Sequence, residues 1–276
     1  GFAEMDFGNI WKPLAGLKYK LNAGFSYAPA RTNTYTGAAA NDLNGTGEII
    51  NKDTQTYTIE NILTYAKDIE KHHFDLTGLY AASRKKYSES TAKGSKFIND
   101  DLGFDNLEGA ESATVKSYAD LYTTVSQMGR LNYSYDSRYL FTFTVRRDGS
   151  SAFGRNNRWV TFPSVSLAWR ITEENFMKDQ SLFDDLKLRI GYGVSGNSLG
   201  FNAYTALQTY SASGWFNYTN AEGVTQAYRT LAATRNANPN LKWERTGMFN
   251  VGIDFGFLDN RLTGTIEYYD KRTKDL

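Results

Sequence analysis

The chain has 276 residues and a formal net charge of +1, from 31 lysines and arginines against 30 aspartates and glutamates. Because basic and acidic residues are nearly equal in number, the composition shows no excess of the basic residues that bind nucleic acid, and no nucleic-acid partner is expected. The absence of cysteine excludes disulfides and thiolate metal sites. No segment approaches the roughly 20 consecutive apolar residues of a membrane helix. Tyrosine and phenylalanine, at 19 and 17 residues, are typical of β-strands and of membrane interfaces.

Apolar residues occupy alternate positions in three segments of the first half of the chain. Because a strand directs successive side chains to opposite faces, this alternation predicts amphipathic strands. The apolar positions are Leu17, Tyr19, Leu21, Ala23, Phe25 and Tyr27, then Tyr57, Ile59, Leu63 and Tyr65, then Phe74, Leu76, Gly78, Tyr80 and Ala82. A further strand is predicted from about Ala119 to Tyr135, before a tight turn at Asp136–Ser137.

The segment Arg138–Thr172 is predicted to form a hairpin in which each arm has one apolar face. The polar stretch Arg147–Ser151 is expected to end the first arm. A short helix is then expected to start at Glu173–Met177, where acidic residues occupy the first turn. In the two arms of this hairpin the apolar positions are Tyr139, Phe141, Phe143 and Val145, followed by Val165, Leu167, Trp169 and Ile171. Three later strands have apolar residues at Leu186, Leu188, Ile190, Tyr192 and Val194; at Phe249, Val251, Ile253, Phe255 and Phe257; and at Leu262, Ile266 and Tyr268. About nine strands of about 9–14 residues are predicted.

The connections between these strands alternate between short and long. The short ones are Asp68–His72, Asp136–Arg138 and Leu258–Arg261, and the long ones are Pro29–Asp53, Ser88–Lys116 and Ser195–Leu241. In an up-and-down antiparallel meander, alternate connections lie at the same end of the sheet. Short turns at one end and long loops at the other are typical of transmembrane β-barrels. The predicted fold class is therefore all-β, an antiparallel up-and-down meander forming part of a transmembrane β-barrel.

Four ordered blocks of sequence resemble one family, the SusC/RagA-like TonB-dependent outer-membrane transporters of Bacteroidetes. The blocks are RDGSSAFGRNNRW with FPSVSLAWRI (Arg147–Ile171), LKLRIGYGVSGN (Leu186–Asn197), NPNLKWERT (Asn238–Thr246) and FNVGIDFGFLDNRLTGTIEYYDKRTKDL (Phe249–Leu276). The resemblance covers most of the chain and is strongest from Tyr133 onward.

The resemblance implies a 22-stranded barrel with a plug, located in the outer membrane and importing a nutrient, either a glycan or a peptide oligomer. It also implies a SusD-like surface lipoprotein and the TonB–ExbB–ExbD energy-transducing complex as partners. Residues 1–276 show no plug-like segment, signal peptide or closing aromatic strand, so they are expected to be a partial barrel domain. The function is transport without covalent chemistry, and neither catalytic residues nor a cofactor is expected.

The barrel hypothesis assigns the two faces of the strands to different surroundings. Backbone groups in lipid must be hydrogen-bonded within the protein, so strands can span a membrane only as a closed barrel. The residues predicted to contact lipid are Leu167, Trp169, Leu188, Ile190, Val251 and Ile253. The residues predicted to face the lumen or plug are Lys187, Arg189, Asn250, Asp254 and Glu267.

Three motifs suggest chemistry that their context does not support. Gly191–Gly196 fits GxGxxG, but no helical pattern follows to receive a pyrophosphate, so the glycines are expected to relieve crowding in a strand. The spacing of Asp42, Asn44, Thr46 and Asp53 resembles a calcium-binding loop without its final glutamate, and an ordinary polar loop is the alternative. His72 and His73 are adjacent rather than four apart on a helix, and nothing selects a nucleophile for them, so a solvated turn is expected.

The aromatic residues Trp215, Phe216 and Tyr218 fall in the longest connection. Aromatic rings on a loop can stack on a ligand or contact a lid, and simple loop packing is the alternative. A soluble carbohydrate-binding β-sheet protein is the alternative to the transporter, and it would require apolar faces packed on each other. A membrane-barrel lipase or protease is a further alternative, which would require a nucleophile paired with a base.

Overall fold

The computed structural model describes residues 1–37, 45–198 and 200–275, which are predominantly β-strand. The strands are β1 (Phe2–Asp6), β2 (Leu17–Thr36), β3 (Thr46–Ile69), β4 (His72–Phe97), β5 (Ala110–Tyr135), β6 (Tyr139–Ser150), β7 (Trp159–Arg170), β8 (Asp185–Asn197), β9 (Thr209–Thr219), β10 (Thr225–Arg235), β11 (Glu244–Phe257) and β12 (Leu262–Lys274). Short 3₁₀ helices occupy Phe7–Asn9, Lys12–Leu14, Gly103–Gly109, Ile171–Glu173 and Asn175–Met177. Within the described ranges, no helix has the length and apolar character needed to cross a membrane.

Ten of the strands form one sheet, in the order β1-β2-β3-β4-β5-β6-β7-β8-β11-β12. Strands β9 and β10 form a separate two-stranded sheet, inserted between β8 and β11. The pairings of β5 with β6, β6 with β7, β7 with β8, β8 with β11 and β11 with β12 are all antiparallel. The prediction of an all-β antiparallel meander is confirmed. In the part of the chain that the structure describes, the end strands β1 and β12 are not paired with each other.

Several strands are longer than the sequence predicted. Strands β2 to β5 contain 20, 24, 26 and 26 residues, so much of the predicted connections Pro29–Asp53 and Ser88–Lys116 is strand. Hydrophobic alternation stops where the apolar face stops, whereas backbone pairing continues through threonine, serine and tyrosine residues. Likewise β6 continues to Ser150, and the turn that follows it spans residues 151–158 rather than Arg147–Ser151. The prediction of about nine strands also missed β1, β9 and β10.

The chain divides into two compact units. Unit 1 comprises Gly1, Ala23–Ile59 and Ser83–Thr123, and unit 2 comprises Phe2–Asn22, Glu60–Ala82 and Thr124–Leu276. In unit 1 the Tyr35 hydroxyl donates to Asp100 Oδ1 over 2.5 Å, and the Lys96 amide donates to the Gly45 carbonyl over 3.1 Å. These two bonds join the β2–β3 and β4–β5 connections, which therefore lie at the same end of unit 1.

The strand register of unit 2 produces one continuous face of apolar side chains, named here the apolar face. One row across β7, β8, β11 and β12 is Leu167, Ile190, Val251 and Tyr268, and the next is Trp169, Leu188, Ile253 and Ile266. Leu167 is 53% exposed, and Ile190 and Ile253 are also exposed. All six residues predicted to contact lipid thus share one face of the sheet, and three of them are exposed. Their contact with lipid remains a prediction.

The opposite face of unit 2, named here the polar face, is held together by hydrogen bonds between neighbouring strands. Arg189 binds both carboxylate oxygens of Asp254 over 2.8 and 2.9 Å, and Lys187 Nζ lies 3.7 Å from the same carboxylate. Asn250 Nδ2 donates to Glu267 over 3.0 Å on the neighbouring strand. The five residues predicted to face the lumen or plug therefore lie together, and their side chains satisfy one another.

Short turns gather at one end of unit 2, named here the short-turn end. The φ angle is positive at Asp136, Ser137, Leu258, Asp259 and Asn260, as tight hairpin turns require. Adjacent turns are tied by the Lys71–Asp136 ion pair at 3.0 Å and by the Asn260 amide, which donates to Asp184 over 2.9 Å. The connections 151–158 and 198–243 lie at the opposite end of unit 2, named here the long-connection end. The parity argument is confirmed within this unit.

The Glu174 carboxylate links β6, β7 and the β5–β6 turn at the short-turn end. It accepts hydrogen bonds from the Tyr139 hydroxyl over 2.5 Å and from Trp169 Nε1 over 3.1 Å, and Arg138 Nη1 lies 3.4 Å away. The pKa of Glu174 lies below its ordinary value. The hydrogen bond from Tyr139 is the main cause, and the hydrogen bond from Trp169 and the positive charge of Arg138 also lower the pKa.

We expect protonation of Glu174 to destabilise this end. Because its folded-state pKa is lowered, the carboxylate stabilises above the unfolded-state pKa of about 4.3, and this contribution is lost as pH falls through the folded pKa. The measurement is the thermal unfolding midpoint of the full-length protein between pH 7 and pH 3. Glu174→Gln should flatten the acid part of that curve. Glu173→Gln, which changes an exposed carboxylate paired to Arg170, should follow wild type. Identical acid slopes in all three proteins would contradict the assignment.

Candidate functional site: the hairpin at the long-connection end

The long-connection end of unit 2 contains the most buried large side chain of the described residues. Phe153 is 1% exposed, in the turn between β6 and β7. Its ring stacks on Trp243 at 4.3 Å between centroids and lies 5.2 Å from Phe201. Phe162 completes the cluster, edge-on to Trp243 at 6.0 Å. Since many large apolar residues in the described ranges are exposed, this aromatic cluster is a local core that fixes the connections around it.

Backbone hydrogen bonds attach the β6–β7 turn to the segment before β11. The Gly154 amide donates to the Leu241 carbonyl, and the Asn156 amide donates to the Pro239 carbonyl, both over 3.3 Å. Trp243 Nε1 donates to the Arg158 carbonyl over 3.3 Å. A Cβ atom at Gly154 would lie 2.1 Å from the Pro239 oxygen, so only glycine permits this approach. Two of the sequence blocks that carry the family resemblance thus pack against each other, and we name this assembly the aromatic platform.

The β9–β10 hairpin leaves from this platform. At its base, the Asn238 amide donates to the Ala206 carbonyl over 3.0 Å, and Arg235 Nη1 donates to the Tyr204 carbonyl over 3.3 Å. Ala206 is itself buried. The two strands pair only with each other, and a register shift between Thr230 and Leu231 interrupts the ladder. The fold therefore holds the base of the hairpin and leaves its strands without a covering element among the described residues.

The structure places all three candidate contact residues on β9. Trp215, Phe216 and Tyr218 are 65%, 57% and 52% exposed. Phe216 lies opposite Tyr228 and shares a face with Tyr218, whereas Trp215 lies on the other face beneath Arg229, whose guanidinium carbon is 4.8 Å from the indole centroid. The hairpin thus presents aromatic rings on both sides, and exposed rings of this kind stack on sugars, planar peptide groups or other aromatic rings. The alternation of apolar residues in the sequence could not reveal this hairpin, because both of its faces are partly apolar.

The calcium candidates do not converge where the structure describes them. Thr46 begins β3 and Asp53 lies seven residues later in the same strand, which places them about 23 Å apart at the usual rise of an extended chain. Asp53 instead accepts a hydrogen bond from the Tyr27 hydroxyl over 2.7 Å. Asp42 and Asn44 lie outside the described residues. Within the described ranges, no group of three His, Asp or Glu side chains could hold a metal ion.

The remaining motifs have structural roles. The glycines of Gly191–Gly196 lie in β8, where a Cβ at Gly191 would meet Asn250 at 2.3 Å and one at Gly196 would meet the Phe162 ring at 2.1 Å. The prediction that they relieve crowding is correct. His72 Nδ1 lies 2.8 Å from the Tyr133 hydroxyl and His73 Nδ1 lies 2.5 Å from Asp68, so both histidines have partners beside the β3–β4 turn.

An antiparallel meander with one exposed apolar face and one hydrogen-bonded polar face has the organisation of a transmembrane β-barrel wall. The family is shown by comparison with known proteins. The family model described as "TonB dependent receptor-like, beta-barrel" matches residues 3–276, and the chain belongs to this family.

Individual relatives agree with this assignment. Over 275 residues, 98% of this chain, the sequence is 34% identical to TonB-dependent receptor P3 of Formosa agariphila, of which it covers 27%. It is 43% identical over 184 residues, 63% of this chain, to TonB-dependent receptor SusC of Bacteroides thetaiotaomicron, of which it covers 18%. Among solved structures it is similar to the RagAB peptide transporter, with a TM-score of 0.78 and 27% identity, covering all of this chain and 29% of that chain. The chain thus spans about a quarter of the length of these relatives.

Proposed function

We propose that this chain forms part of the wall of an outer-membrane transporter that imports an oligomeric nutrient in a TonB-dependent manner. The observation that carries the proposal is the apolar face of unit 2, where Leu167, Ile190 and Ile253 are exposed on one side of a hydrogen-bonded sheet. Lipid favours such a face, and paired strands satisfy the backbone groups that lipid cannot. Family membership supports the same conclusion.

The imported molecule is a glycan or a peptide oligomer. One relative is a TonB-dependent receptor named SusC, and a similar solved structure is that of the RagAB peptide transporter. By analogy the partners of the full-length receptor are a SusD-like surface lipoprotein, at the long-connection end, and the TonB–ExbB–ExbD complex, acting through a plug outside this chain. Transport of this kind breaks and forms no covalent bond in the nutrient, so no enzyme activity is proposed.

A soluble carbohydrate-binding sheet protein is less well supported. A soluble sandwich buries one face of each sheet against the other, with a core about 10 Å thick. Here the buried hydrophobic residues of the described ranges number five, and three of them form the aromatic platform rather than a layer beneath the sheet.

The experiment is uptake of fluorescent oligopeptides and oligosaccharides by cells that express the full-length receptor as their only transporter of this family. We expect uptake of one of the two classes, and its abolition by a protonophore or by deletion of TonB. Energy-independent uptake, or recovery of the receptor in the soluble fraction, would contradict the proposal.

We further propose that Trp215, Phe216 and Tyr218 contact the nutrient or the lipoprotein lid. Alanine at all three positions removes the exposed rings of β9 and should reduce uptake several-fold, as hot-spot aromatic residues commonly do. Barrel assembly, measured as heat-modifiable migration in gels, should be unchanged because the three rings are exposed. Leu258→Ala, which removes an exposed apolar side chain at the short-turn end, serves as the control. Normal uptake by the triple variant would remove the functional role of these rings.

A further inference from the structure

A basic patch adjoins the apolar face at the long-connection end of β8, β11 and β12. The row Ile190–Val251–Tyr268 is followed by Tyr192–Phe249–Asp270, then Val194–Gly247–Arg272, then Gly196–Arg245–Lys274. Alternation keeps all four rows on the same side of the sheet. The residues of the last three rows, apart from Gly196, line an open cavity of about 430 Å³. Across these four rows the face changes from mostly apolar, through a row that combines Tyr192 and Phe249 with Asp270, to arginine and lysine.

Three cations of this patch lie close together, and their mutual repulsion opposes the pairing of the strands. Arg245 and Lys274 are directly opposite each other on neighbouring strands, and Arg272 precedes Lys274 by two residues on the same face. Like charges opposite each other in a sheet are destabilising. Asp270 and Asp275 offset part of this charge, at 2.8 Å from Arg272 and 3.0 Å from Arg245. Among the described residues, Lys274 has no carboxylate within ion-pair distance.

The position of the patch relative to the membrane favours an anion that is part of a lipid headgroup. Girdles of aromatic residues flank the apolar band of a transmembrane barrel at the membrane interfaces, and the cations lie just beyond Tyr192 and Phe249. Arg272 is 78% exposed, and a guanidinium that binds one carboxylate keeps N–H donors for a phosphate. Gly247 leaves the floor of the cavity open, because the nearest neighbour of an added Cβ would be the Tyr192 hydroxyl at 3.5 Å.

We propose that Arg245, Arg272 and Lys274 bind the phosphate of a phosphorylated membrane glycolipid whose acyl chains lie along Ile190, Val251 and Tyr268. The inference rests on the proposed function, since it requires the apolar face to contact lipid. The bound phosphate relieves the repulsion between the opposed cations, and the tyrosine and phenylalanine rings contact the sugar and the upper acyl chain.

The test compares two lysine substitutions on the same strand. Lys274→Gln removes a cation from the patch, whereas Lys271→Gln removes one from the opposite face, where Lys271 lies across from Met248. The full-length receptor is placed in phosphatidylcholine nanodiscs, and retention of added lipid A, a phosphorylated glycolipid, is measured by native mass spectrometry. Lys274→Gln should weaken retention about fivefold, since a cation near an anionic lipid surface contributes about 1 kcal/mol. Arg272→Gln with Lys274→Gln should weaken it further, and Lys271→Gln should match wild type.

The outcomes separate this inference from the proposed function. Equal retention by wild type, Lys274→Gln and the double variant would overturn the glycolipid site, and equal displacement by millimolar inorganic phosphate would overturn its assignment to a lipid. In either case normal TonB-dependent uptake would leave the transport proposal standing. In detergent without lipid A, Lys274→Gln should be at least as stable as wild type, because it removes a repulsive pair. A large loss of stability there would instead assign Lys274 a structural role and also overturn the inference.

Discussion

Substitution of Leu167 by arginine should destabilise the full-length receptor by about 2–4 kcal/mol, the cost of a cation on the lipid face of a barrel near the membrane midplane. Leu167 lies in the centre of the apolar face, between Phe141 on β6 and Ile190 on β8. An arginine there would be surrounded by apolar neighbours on both adjacent strands, with no carboxylate in its row.

The matched control is Ser166→Arg, one residue away on the same strand and on the opposite face. Ser166 lies between Thr142 and Gly191, among polar groups that can hydrate or bond a guanidinium. Ser166→Arg should destabilise the receptor much less than Leu167→Arg does. The measurement is reversible urea unfolding of the receptor from lipid vesicles. Equal losses at the two positions would contradict the assignment of the faces.

Substitution of Phe153 by alanine should release the connection that carries the β9–β10 hairpin. Replacing a fully buried phenylalanine costs about 3–5 kcal/mol in transfer and cavity terms. Here the loss is local, because Phe153 packs on Trp243 and Phe201 rather than within the sheet. The platform should loosen while the sheet of unit 2 stays paired.

Hydrogen exchange in the full-length receptor measures this release. In Phe153→Ala the amides of Gly154 and Asn156, which donate to residues 241 and 239, should exchange much faster than in wild type. Amides in the centres of β7 and β8 should be unaffected. Phe216→Ala removes the same side chain from an exposed position and should leave the platform protected. Unchanged protection in Phe153→Ala would show that the aromatic cluster does not hold the connection.

The sequence predicted the fold best where one side of the sheet is apolar. Strands β6, β7, β8 and β11 alternate strictly, and their shared register follows from that pattern together with the tight turn at Asp136–Ser137. The parts of β2 to β5 that fall within the predicted connections Pro29–Asp53 and Ser88–Lys116 were not predicted as strands, because both of their faces are largely polar. Only the backbone pairing shows that they are strands.

The candidate site was less predictable for a different reason. The rings of Trp215, Phe216 and Tyr218 stood out by composition, but their division between two faces depends on the β9–β10 register. The platform joins Phe153 to Trp243, which are 90 positions apart in the sequence, and such a long-range contact has no local periodicity. A short apolar pair, Ala152 and Phe153, between Gly149 and Gly154 in a polar turn was the available signal.

The central claim is that one face of this sheet contacts lipid, and nitroxide accessibility measures it directly. Because the chain contains no cysteine, single labels can be placed at Val251 and Asn250, neighbours in β11 with opposite facing. In the full-length receptor in vesicles, with any other cysteines replaced, the label at 251 should relax fast with oxygen, which concentrates in lipid. The label at 250 should respond instead to a water-soluble nickel reagent or be shielded within the protein. Equal, water-dominated accessibility at both positions would contradict a membrane-spanning wall.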